Sequence, residues 1–227
     1  MAYLVCAEEM EGNWIAHVPD LPGCFASHQD REAALGAVPA AVESYAAWRR
    51  GHGLTIFGPA GSMVVGEVIR AWRYEADYEV NAFFASDRPP LSEMEIPEFE
   101  RLLRATRHDL LAAVDGLGAE DLDRTVAGER WPIRGILEHT ANAEWWYLDR
   151  IGLAGAWRDL PPDVFDRLGA VRGRLLSQLG PLCERSGVVT LSGETWSARK
   201  VLRRTLWHER DHIGHIGKLR GKFWRAA

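Results

Sequence analysis

The sequence predicts an α+β domain of order β-β-α-β-β followed by an all-α, up-down four-helix bundle. Three observations carry this. Short β-rich runs flank a single helical stretch in residues 1–86. Residues 87–96 hold Pro89, Pro90 and several charges without any period, and read as a linker. From residue 97 to 227 the apolar residues recur at helical spacing.

The elements follow in order. Tyr3–Ala7 is a short apolar run, and Glu8–Asn13 is a polar turn containing Gly12. Trp14–Val18 alternates as a half-buried strand should, and Pro19–Gly23 breaks it. From Asp30, which can cap a helix, Ala33, Ala34, Ala37, Val38, Ala41, Val42, Tyr45 and Trp48 recur at helical spacing. Pro39 should kink this helix, and Gly51 or Gly53 should stop it. Ser62–Tyr74 and Tyr78–Phe84 are again β-rich. The first bundle helix carries Phe99, Leu102, Leu103, Thr106, Leu110, Leu111 and Val114, and Gly116 and Gly118 end it. Pro132 opens a second helix to about Ile151. Val164–Leu179 forms a third, and Ser197 caps a fourth that runs to about Leu219, with Gly221 past its end.

Composition excludes several classes. The chain has 227 residues, 47% apolar and 26% charged, too apolar for disorder. A net charge of −5 and a pI near 5.9 argue against nucleic-acid binding. Three scattered cysteines (Cys6, Cys24, Cys183) give neither a disulfide framework nor a four-cysteine zinc site, and fit a reducing cytoplasm. No apolar run is long enough to span a bilayer, and the N-terminus reads as a strand rather than an export signal. The expected protein is cytoplasmic, binds a small molecule, touches neither membrane nor nucleic acid, and forms a homodimer. Ten tryptophans, seven of them after residue 130, mark either a thick core or an aromatic-walled pocket.

Of eight histidines, His17, His28, His52 and His108 have no mutual spacing that points to chemistry. The fourth helix differs, reading Trp207-His208-Glu209-Arg210-Asp211-His212-Ile213-Gly214-His215. His208 and His212 are four apart, so two imidazoles on one helix face can converge on an ion. His215 follows on the same stripe. His139 shares its face of the second helix with Ile136, Ala143 and Trp146, so it points into the bundle. Taken alone, His139 would be an ordinary hydrogen-bonded core histidine. Several inward imidazoles in one bundle are costly unless paired or metallated. His208–His212 also matches H-E-x-x-H, in which Glu209 would activate water. Arg210 and Asp211 at the centre, the failure of the extended motif at His215 and Lys218, and the few residues after His212 count against a zinc protease.

Two segments carry a resemblance. Trp131-Pro-Ile-Arg-Gly-Ile-Leu-Glu-His139-Thr-Ala-Asn-Ala-Glu-Trp145-Trp146-Tyr147-Leu and His208-x-x-x-His212-Ile-Gly214 resemble the metal-histidine helices of the DinB/YfiT-like four-helix-bundle metalloenzymes. The resemblance spans 97–221 and implies His139, His208 and His212 as metal ligands. Where that family often has Gln after the glycine, this chain has His215, open as a fourth ligand, an outer group or a surface residue. It further implies one divalent metal (zinc or nickel first, iron or manganese as alternatives) and thiol-dependent S-transferase or isomerase chemistry through a metal-bound thiolate. A low-molecular-weight thiol would be the cosubstrate. A metal-dependent hydrolase and a non-catalytic metal-binding or regulatory protein are the alternatives. Glu138, Asn142 and Asp211 are candidate outer-shell or substrate groups, and Trp146 a candidate pocket floor. Separately, Val18-Pro-Asp-Leu-Pro-Gly-Cys-Phe25 with the helix after Asp30 resembles a HicB-like domain, which would bind a partner.

Overall fold

The computed structural model describes residues 2–55, 61–75 and 78–225. The chain divides into two compact units, Met1–Pro90 with Ser186–Arg203, and Leu91–Arg185 with Arg204–Ala227. The sequence boundaries place everything from residue 97 onward in the second domain. The structure instead returns 186–203 to the first unit.

In the first unit, β1 (Tyr3–Met10), β2 (Asn13–His17) and β3 (Phe25–His28) are followed by α1 (Arg31–Gly36), α2 (Val38–Gly51) and β4 (Met63–Arg70). They form a four-stranded sheet of order β3-β2-β1-β4, with β4 parallel to β1 and the other pairs antiparallel. The expected β-β-α-β-β order therefore lacks β3 and the division of its helix into α1 and α2. Phe25–His28 is too short to show alternation and is fixed by pairing, Phe25 opposite His17 and His28 opposite Trp14. Asp30 caps α1 by accepting the Ala33 N–H at 2.8 Å. At Pro39 the helix restarts rather than kinks: Ala37 closes α1, and Pro39 lies in the first turn of α2, where its missing N–H costs nothing.

The run read as one strand over Ser62–Tyr74 breaks at Ala71. Beyond it, β5 (Trp72–Glu75) pairs with β6 (Tyr78–Val80) in a separate hairpin. A third antiparallel pair lies in what was expected to be the connection between the third and fourth helices of an all-α region, β7 (Val189–Leu191) with β8 (Glu194–Trp196). Its two-residue turn, Ser192 and Gly193, has φ of 49° and 73°, the twist that suits a hairpin. Glycine is needed at 193 for a second reason: a Cβ would come within 2.6 Å of the Tyr74 ring and 2.8 Å of the Trp72 ring.

Buried charge organises this unit. Arg203 donates to both Asp87 carboxylate oxygens at 2.8 Å and to the Ala82 carbonyl at 2.9 Å. Glu8 accepts from the Ala82 N–H and lies 2.8 Å from His17 Nε2. Lys200, fully buried, donates to Glu194 at 2.6 Å. Asp87, read in sequence as a linker charge, is buried.

The second unit holds α3 (Ile96–Ala112), α4 (Ala119–Leu122), α5 (Ile133–Asp149), α6 (Val164–Ser177) and α7 (Leu179–Cys183). It also holds most of α8 (Ala198–Arg225), which Ser197 caps through its hydroxyl oxygen. Helix α8 continues past Gly221, because a lone interior glycine costs only about 1 kcal/mol and no proline follows. The core gathers Leu110, Ile133, Ile136, Leu137, Leu168, Val171, Ile216 and Leu219.

Inside that core the four long helices each contribute one charge to a closed ring: Arg107 of α3, Glu144 of α5, Arg172 of α6 and Glu209 of α8. Arg107 donates to Glu209 at 2.7 Å and to Glu144 at 2.6 Å. Arg172 donates to the same two carboxylates at 2.7 Å each. The spare guanidinium N–H groups of Arg107 and Arg172 reach the Leu168 and Leu103 carbonyls, and Thr106 donates to Glu209. Burial opposes every charge in the ring. The attraction of Glu144 and Glu209 nevertheless holds Arg172 above its ordinary pKa, and Arg172 and Arg107 hold Glu209 below its own.

Candidate metal centre

Helix α8 brings His208 and His212 to one face, and α5 brings His139 opposite them. The Nε2 atoms of His208 and His139 lie 3.0 Å apart, as do those of His212 and His208. The three imidazoles form a group whose ligand atoms all lie within 4.8 Å of one another. A tetrahedral ion at about 2.0–2.1 Å from each nitrogen needs nitrogens about 3.3 Å apart, close to the spacing present. The three residues thus fit a divalent ion bound by neutral nitrogen donors.

The surroundings keep these donors neutral. Burial, and then the neighbouring imidazoles and Arg204, push His208 well below its usual pKa. Burial, with His139 and His215 adding to it, pushes His212 down to about 3. Burial and then Arg130 lower His139. Aromatic rings wall the site. Trp131 stacks on His139 with centroids 4.7 Å apart, and Tyr147 and Trp207 pack against His208 at 6.0 and 5.7 Å.

This has a consequence for metal-free protein. Its unfolded histidines take up protons near pH 6.5, whereas the folded ones resist. The contribution of the neutral imidazoles is therefore complete above pH 6.5. It is lost as pH falls from there, for His212 down to about 3, by at most about 1.4 kcal/mol per pH unit for each histidine. Urea denaturation of chelator-treated protein across pH 4–7 should show stability falling with pH, and His208→Gln should flatten the slope.

The other sequence candidates have different places. Among the described residues His215 lies outside the three-histidine group: its Nε2 is 2.8 Å from Glu129, which also accepts from Lys222 at 2.5 Å. Those two bonds hold the Glu129 carboxyl below its usual range. Asn142 accepts from Arg167 at 3.1 Å. Trp146 packs on Tyr147 and beneath Arg150. Glu138 and Asp211 are half-buried, and the Glu138 charge acts on Arg134. Glu209, the base of the H-E-x-x-H reading, is committed to the ring with Arg107 and Arg172. Sequence reasoning missed Glu129 and Arg130 and named Trp131 only as part of a matching segment. Their one signal was immediate precedence to the helix that carries His139.

Helices that gather three imidazoles at one point could hold a metal ion. The chain belongs to the DinB superfamily, a metal-binding family whose model matches residues 102–216. No curated protein and no solved structure matches it.

Proposed function

We propose that this protein is a divalent-metal-dependent enzyme of the DinB type, with His139, His208 and His212 as ligands. Its reaction is the attack of an ionised thiol on a small electrophile, as S-transfer or thiol-assisted isomerisation. The observation that carries the reading is the convergence of three Nε2 atoms, which leaves coordination positions for a reactant. When bound, the ion supplies the Lewis acidity that keeps a thiol ionised at neutral pH. The chain's own part is to hold the imidazoles unprotonated by burial and to exclude water with Trp131, Tyr147 and Trp207. Hydrolysis ranks second, since the carboxylate best placed in sequence to activate water, Glu209, is occupied by Arg107, Arg172 and Thr106.

The up-down four-helix bundle belongs to the same proposal, supported by the ring to which α3, α5, α6 and α8 each give one residue. For the first unit we keep a HicB-like, partner-binding reading, supported by the Val18–Phe25 segment and the helices that follow it.

Elemental analysis of purified protein should find about one divalent metal per chain, with zinc or nickel ahead of iron or manganese. His208→Ala and His212→Ala should lose it. A screen of low-molecular-weight thiols against electrophiles should show turnover only in the metal-loaded protein. Undiminished metal in both variants would overturn the ligand assignment.

A further inference from the structure

Three consecutive residues before α5 stand beside the histidines. A turn fixes them: Gly128 has φ of 82°, and the Glu129 N–H donates to the Val126 carbonyl at 3.0 Å. Glu129 binds His215 and Lys222, so its charge is used. Trp131 lies on His139. Arg130 places its guanidinium 4.3 Å from the centre of the Trp131 ring and is exposed. Among the described residues it has no carboxylate partner. Exposed Arg130 therefore touches the indole that itself stacks on His139 of the three-histidine group.

The ligands are neutral, so a divalent ion would keep its full charge. Two guanidiniums stand near the imidazoles, Arg130 at His139 and Arg204 at His208, and His215 neighbours His212. Arg204 is buried, with its guanidinium 4.2 Å from the Trp207 ring. A guanidinium beside a divalent ion attracts an anionic group. A guanidinium braced on an indole is pre-organised for a carboxylate, which it can take with two parallel N–H donors.

We propose that Arg130 is a substrate-binding residue that selects a carboxylate-bearing ligand, held with its reactive end at the three-histidine point and its carboxylate on the guanidinium beside Trp131. The proposal rests on the metal reading above and adds a substrate class to it.

The test is calorimetric titration of metal-loaded protein with mercaptosuccinate and with the neutral thiol 2-mercaptoethanol, with metal content measured on the same samples. A charge-assisted hydrogen bond of about 1.5–3 kcal/mol corresponds to roughly a 10–100-fold contribution to mercaptosuccinate affinity. Arg130→Gln should lower mercaptosuccinate affinity by about that factor, and mercaptoethanol affinity by much less, at equal metal content, and Arg130→Lys should restore part of the loss. Equal mercaptosuccinate affinity in wild type and Arg130→Gln, with metal intact, would overturn the role of Arg130 and leave the metal reading standing. Absence of metal from the wild type would overturn both.

Discussion

Glu209→Ala should destabilise the helical unit by about 3–5 kcal/mol, because it strands the positive charges of Arg107 and Arg172 in the core. Both guanidiniums are buried and reach Glu209 at 2.7 Å, and Glu144 alone cannot neutralise two of them. At roughly 2–4 °C per kcal/mol for a chain of this size, the melting temperature should fall by roughly 6–20 °C. Glu209→Gln should cost nearly as much, since the amide keeps the shape but not the charge, and its NH2 would face guanidinium donors. Replacing all four ring members together by apolar residues of similar volume should cost far less than either single change, because no charge is then left without a partner. Thermal and urea denaturation followed by circular dichroism measure this. A loss under about 1 kcal/mol in both single variants would show that water, not the ring, solvates these charges.

The ring also shows where sequence reasoning stops. His208 and His212 were legible because their relation is local: four residues on one helix give one face. His139 was legible through its matching segment. Arg107, Glu144, Arg172 and Glu209 each stand at an apolar position of a helical stripe: Leu103-Arg107-Leu110, Leu137-Glu144-Leu148, Leu168-Arg172-Leu175 and Leu206-Glu209-Ile216. A single charge in such a stripe reads as its edge. Only the four together, paired across 28 to 102 positions of chain, show that they are core. The same limit hid β3 and the β7–β8 hairpin, whose strands are three or four residues long and owe their existence to pairing rather than to pattern. It also hid Asp87, whose neighbours in sequence read as linker and whose partner is Arg203. Cap and stop residues were legible because a cap acts within one turn. Asp30 and Ser197 begin their helices as expected, while Gly221 fails to end one because nothing after it forbids helix.

Divalent metal should raise the melting temperature of the wild type and leave His208→Ala and His212→Ala unmoved. A ligand that binds only the folded state at a free concentration one hundred times its dissociation constant adds about 2.7 kcal/mol, roughly 5–11 °C for a chain of this size. The comparison is made within each variant, with and without metal, so any intrinsic cost of the substitution cancels. His215→Ala serves as the contrast. Its nitrogen is taken by Glu129 at 2.8 Å, so its metal-induced shift should stay close to that of the wild type. Zinc and nickel should give larger shifts than manganese, since imidazole donors follow the usual order of divalent affinities. Should His215→Ala lose the shift and His212→Ala keep it, the ion would sit one turn further along α8, and Glu129 would become a ligand in place of His139.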